Sequence, residues 1–133
     1  MRKWVELAER CEQATGPDRK IDAAMAKALG LVPSGLTPGT SRGYEARFSN
    51  STVWIWDAPY YTASLNAITA LIDRELPGSM RSIRKHPDGE AVAQVWNSQV
   101  VGETPRQRWC CASEALALCA AFCRAMNEKE ANA

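Results

Sequence analysis

One histidine, His86, serves the whole chain. That scarcity excludes a multi-histidine metal centre and any acid–base scheme that needs two imidazoles. The formal net charge is only +1, so the large positive surface on which nucleic-acid affinity normally rests is missing. No apolar run approaches the roughly 18 residues of a membrane-spanning helix. The glycines show neither P-loop nor dinucleotide-fingerprint spacing, and there is no internal repeat or low-complexity tract. The opening Met1-Arg2-Lys3-Trp4-Val5-Glu6-Leu7 acquires an acid at once and has no continuous apolar stretch. No secretory signal is therefore expected.

What is present describes an ordinary globular protein. The 133 residues correspond to about one domain. With 46% apolar and 23% charged residues, the chain has the composition of a folded core rather than a disordered tail. Five cysteines, Cys11, Cys110, Cys111, Cys119 and Cys123, make an odd number. Without a leader they read as reduced thiols of a cytoplasmic protein, the host cytoplasm if the chain is phage-encoded.

Along the chain, Trp4, Leu7, Ala8 and Cys11 fall on one helical stripe within residues 2–14. Thr15-Gly16-Pro17 stops that helix, and Asp18 opens a second carrying Ile21, Ala24, Met25, Ala28 and Leu29 up to Gly30. Residues 31–52 are rich in Pro, Gly, Ser and Thr and read as a loop, with a short strand at Tyr44–Phe48. That strand would pair across Asn50-Ser51 with Thr52–Trp56, which is β-branched and aromatic throughout. A third helix is expected over 62–75, capped by Thr62 and ended by Pro77-Gly78. Strands at 80–85 and 91–96 flank Pro87-Asp88-Gly89, a strong hairpin signal. A short strand begins at Val100-Val101, and Ser113-Glu114 opens a last helix running to about Asn127.

The order α-α-(β)-β-α-β-β-(β)-α implies an α+β protein, a three-layer α/β/α sandwich with a small, mainly antiparallel sheet and an N-terminal helix pair. A single domain is expected: a helical hairpin at 1–30, a loop at 31–52, a sheet-plus-helices core at 53–127 and a frayed tail at 128–133.

Two segments carry a resemblance. Tyr60-Tyr61-Thr62-Ala63-Ser64-Leu65-Asn66-Ala67 opens a helix with an aromatic and a capping threonine. Ala115-Leu116-Ala117-Leu118-Cys119-Ala120-Ala121-Phe122 forms an alanine-rich terminal helix with an embedded cysteine. With the hairpin Arg81–Trp96 between them, the stretch Val53–Met126 resembles the phage ABA-sandwich domain family. The resemblance implies a phage or prophage origin and an α/β/α fold, and supplies no active-site residues.

Candidate chemistry is sparse. Cys119 and Cys123 share a stripe with Leu116, Ala120 and Met126, which reads as core packing in preference to a metal or redox site. Cys110 and Cys111, near Arg106 and Arg108, are the thiols best placed for reactivity. His86 reads as a solvent-facing turn residue, and Glu6, Glu9 and Glu12 as a solvated helix face. No catalytic residue, metal ligand or cofactor is assigned. The candidate binding residues are the aromatic cluster Trp54, Trp56, Tyr60 and Tyr61 and the basic strand residues Arg81, Arg84 and Lys85. Trp96 and Trp109 pose the same choice between core and exposed platform. The last helix opens with an acid and lacks the lysine cluster with which double-stranded RNA-binding domains anchor phosphate. The expectation is therefore a non-enzymatic phage accessory protein that binds a macromolecule, a protein in preference to nucleic acid, and so modulates a host enzyme or defence system. The alternatives are a small-ligand or nucleotide binder using the aromatic cluster, or a weak double-stranded nucleic-acid binder.

Overall fold

The structure, a computed structural model, describes residues 2–32, 37–38, 43–47, 53–105 and 111–132; for Arg2 and for residues 37–38, 43–47 and 53–56 it describes the backbone only. Among the described residues, four helices form: α1 (Arg2–Gln13), α2 (Arg19–Ala28), α3 (Leu65–Glu75) and α4 (Glu114–Ala131). The six strands among them make two antiparallel three-stranded sheets. The first has β1 (Thr37–Pro38), β2 (Gly43–Arg47) and β3 (Val53–Asp57), and the second β4 (Met80–Lys85), β5 (Ala91–Trp96) and β6 (Val101–Glu103).

The α+β class read from the sequence forms, with the N-terminal helix pair in place. Within it α4 takes the middle position, between α1 on one side and the β4–β6 sheet on another, with α3 alongside. The reason is compositional. Ala115 through Cys123 are all buried, so the first half of α4 has no solvent face. A helix apolar all round belongs in the interior. By contrast β5 alternates buried Ala91, Ala93 and Val95 with half-buried Val92, Gln94 and Trp96, so one face of its sheet looks outward.

Small residues let α4 lie close against the sheet. A side chain on Gly102 would run into the Ala121 carbonyl and the Ala125 backbone nitrogen. On the opposite side Trp4 of α1 meets Phe122 edge to face, with ring centroids 5.9 Å apart and planes at 88°, a geometry worth about 1 kcal/mol beyond its buried area. Leu7, Ala8 and Cys11 complete the α1 stripe as expected. Arg124 of α4 and Glu12 of α1 join through two hydrogen bonds of 2.8 and 2.7 Å.

Several sequence expectations are corrected. Within residues 31–52 the short strand expected at Tyr44–Phe48 forms as β2 and pairs with β3 from Gly43↔Asp57 to Arg47↔Val53, whereas the strand β1 beside it was not expected. The Asn50-Ser51 turn lies outside the described residues. α3 begins later than expected: Ser64 caps it, accepting from the Ala67 N–H at 3.2 Å. Thr62 is instead fully buried, its N–H donating to Asp22 Oδ1 at 2.8 Å and its hydroxyl accepting from the Asp18 N–H at 2.9 Å. The tail expected to fray from residue 128 continues α4 to Ala131. Lys129 Nζ donates to the Glu75 carbonyl at 3.0 Å, and Lys3 pairs with Glu130 at 3.5 Å. The β4–β5 hairpin matches its expected bounds. Its connection is five residues long, His86 to Glu90, closed by the His86 N–H on the Glu90 carbonyl, with Gly89 at φ +102° in the left-handed region glycine tolerates.

Candidate functional site

The register of the β4–β6 sheet fixes which side chains share its outer face. Residues directly opposite in an antiparallel pair point to the same side. Met80 lies opposite Trp96, and Trp96 opposite Val101. These three make one apolar row across all three strands. Met80 is 61% exposed and Val101 44%, with Trp96 half-buried between them. The next row is Ser82, Gln94 and Glu103, and the third begins with Arg84 opposite Val92. No described helix packs on this side. The face thus grades from apolar at one end to charged at the other.

A depression of about 250 Å³ lies over the polar rows, lined by Ser82, Arg84, Val92, Gln94, Glu103 and Thr104 among others. Pockets that enclose whole small ligands run from about 300 to 1,000 Å³, so this one suits a single inserted side chain better. Its floor is rigid. Thr104 is buried, and its hydroxyl accepts from the Ala93 N–H at 3.0 Å and donates to the Ala93 carbonyl at 3.3 Å, extending the β5–β6 ladder.

The basic residues singled out in the sequence do not form one patch. Alternation along β4 sends Arg84 to the outer face and Arg81 and Lys85 to the helix side with Ile83. There Arg81 pairs with Asp73 of α3 at 3.1 Å and Lys85 with Glu114 of α4 at 3.7 Å. Both cations are occupied in tying the sheet edge to helices. Arg106 and Arg108, with Trp109 and Cys110, lie outside the described residues.

The aromatic cluster divides in the same way. Tyr61 is in the core, where burial raises its phenol above the ordinary value, whereas Tyr60 is 56% exposed. Tyr60 lies under the Arg19 guanidinium, 3.9 Å from the ring centre. Arg19 is in turn held by Asp22 at 2.7 Å and donates to the Ala58 and Pro59 carbonyls. Asp22 is fully buried and also receives the Thr62 N–H. This network fastens the start of α2 to the turn before α3. Sequence reasoning missed it because the partners are about forty residues apart. Trp54 and Trp56 lie on β3 opposite Ala46 and Tyr44; their side chains lie outside what is described.

The thiols sit inside. Cys11, Cys111, Cys119 and Cys123 are all buried. The stripe on α4 is core, as expected, but it gains a partner the sequence did not suggest: Cys11 from α1 meets Cys119 and Cys123 in one hydrogen-bonded trio. Hydrogen bonds from Cys119 and then Cys123 pull Cys11 down to about 5, and burial pushes the other two well above the ordinary thiol value. The Tyr61 carbonyl, 3.2 Å from the Cys119 sulfur, competes for that thiol's single proton. Among the described residues, no three of His, Cys, Asp and Glu are arranged to hold a metal ion. Cys111, one of the two thiols best placed for reactivity by sequence, is buried and bridged through its backbone to Ala91.

Among the described residues, no helix is long and apolar enough to cross a membrane. Compared with family models, with curated proteins and with solved structures, the chain matches none.

Proposed function

We propose that this chain is a non-enzymatic accessory protein, of the phage or prophage kind its sequence resembles, and that it acts by binding a protein through the outer face of the β4–β6 sheet. The observation that carries this reading is the row Met80–Trp96–Val101, aligned across three strands and bordered by Ser82, Gln94, Glu103 and Arg84. An apolar row with a tryptophan anchor, bordered on one side by polar residues and an arginine, has the composition of a protein-binding surface. Burial of a side chain such as methionine or valine contributes about 1.5–3 kcal/mol. The basic strand is a weaker candidate for phosphate, since Arg81 and Lys85 already hold carboxylates.

Affinity capture with the tagged chain tests the proposal. The wild type should retain one stoichiometric protein, whether another polypeptide or an untagged copy. The double variant Met80→Asp/Val101→Asp should lose it while melting within a few degrees of wild type. Undiminished capture by that variant would rule the face out.

A further inference from the structure

We propose that the protein seated on this face is a second copy of the chain, packed sheet to sheet about a two-fold axis that runs parallel to the strands and over β5. The inference rests on the reading of the outer face as a binding surface, and names its occupant.

The pattern of the face is self-complementary under that one operation. A two-fold along the strands keeps each row at its own level and exchanges β4 with β6. Met80 then stands over the partner's Val101, and Trp96 over the partner's Trp96, so the apolar row meets its own copy. One level on, Ser82 faces the partner's Glu103. Arg84 lies one further row along β4, about 7 Å from the position opposite the partner's Glu103, a span an arginine side chain covers. Symmetry produces this Arg84–Glu103 contact twice. A guanidinium carries five N–H donors, so Arg84 gains this acceptor without surrendering others. Sheets packed this way stand about 10 Å apart with strands within about 30° of alignment.

Alternative self-associations lack this fit. A two-fold across the strands and over the Ser82–Gln94–Glu103 row would set the apolar row against Arg84 and Val92, and one over the apolar row itself would take Arg84 and Glu103 away from each other's copies. Extension of the sheet through its β4 edge, in the central antiparallel register, would bring Arg81 opposite the partner's Arg84, a like-charge contact of the sort that protects edge strands. Isologous two-fold dimers are also the commonest closed assembly, because each favourable contact is counted twice.

Sedimentation equilibrium over a concentration series, on the full chain, tests the proposal. The wild type should approach twice the mass of one chain. Arg84→Glu and Glu103→Arg should each weaken association by about tenfold or more, and the double swap Arg84→Glu/Glu103→Arg should restore it, as expected for a direct charge pair. Thermal melts of all three variants confirm that each is folded. A single-chain mass at the highest soluble concentration overturns the dimer, as do single reversals that leave the dissociation constant unchanged. A monomer that still captures a different protein, lost in Met80→Asp/Val101→Asp, overturns the dimer and leaves the face as the binding surface. A dimer that survives Met80→Asp/Val101→Asp overturns both.

Discussion

On its inner face the β4–β6 sheet presents Ala91, Ala93, Val95 and Gly102 of β5 and β6 to α4, with Arg81, Ile83 and Lys85 of β4 at the edge, whereas its outer face presents Met80, Trp96, Val101, Gln94 and Arg84. Along β5 and β6 the larger side chains are on the outside. A sheet that needed only its own core would reverse that choice, since large apolar groups gain most from burial. Here the inside is small because α4, itself rich in alanine, lies against the strands at backbone distance. The inner face is fitted to one helix already in place. The outer face has the material for an interface and no occupant within the described chain.

The largest test of this contrast is Gly102→Val. The new side chain collides with the backbone of α4, and overpacking of this kind should cost about 3 kcal/mol, read from the urea midpoint. A loss below about 1 kcal/mol would show that α4 can retreat and that close approach is not the organising feature.

A pH-dependent effect is expected on the far side of α4, in the thiol trio. Cys11 is held down to about 5 against an ordinary 9.0, so between those values the unfolded chain binds more protons and stability rises with pH. Cys119, Cys123 and Tyr61 are raised, so above about pH 9 the folded chain binds more protons and stability falls. In Cys11→Ala the rise should vanish and the alkaline fall remain, measured as urea midpoints across that range. Identical profiles for the two proteins would dissolve the trio as a unit.

The smallest effects belong to the sheet edge. Arg81 and Lys85 are 35% and 58% exposed, and exposed pairs contribute little. Arg81→Ala and Lys85→Ala should each shift stability by no more than about 0.5 kcal/mol. A larger loss from either would make this edge a structural clamp on a par with the inner face.

Much of this fold was legible in local pattern. The helical stripe Trp4–Leu7–Ala8–Cys11, the cap at Asp18 and the hairpin around Gly89 depend on near neighbours, and each formed where expected. Thr62 was misread because threonine and serine cap helices by the same chemistry; Ser64 took the role, and a buried carboxylate forty residues away took Thr62. The two-residue strand β1, with Pro38 in it, carries too few side chains to show a period. The central place of α4 was written in the nine consecutive small or apolar residues 115–123, with no polar residue before Arg124, though reading them as one stripe concealed it. The outer row could have been found by counting back from the turn, since the hairpin register aligns Met80 with Trp96. The division of Arg81 and Lys85 from Arg84 follows from the same count.

The pairing of Lys3 with Glu130 sets the first turn of α1 beside the last turn of α4, 3.5 Å apart at their charges. Chain order is therefore separable from architecture. A short linker from the end of α4 to the start of α1, with a new opening at the exposed Pro87–Asp88 turn, would give a permutant in which α4 leads directly into α1. In that permutant the contact between α1 and α4, at present the most distant in sequence, becomes a local helical hairpin, and contacts of short sequence separation form faster.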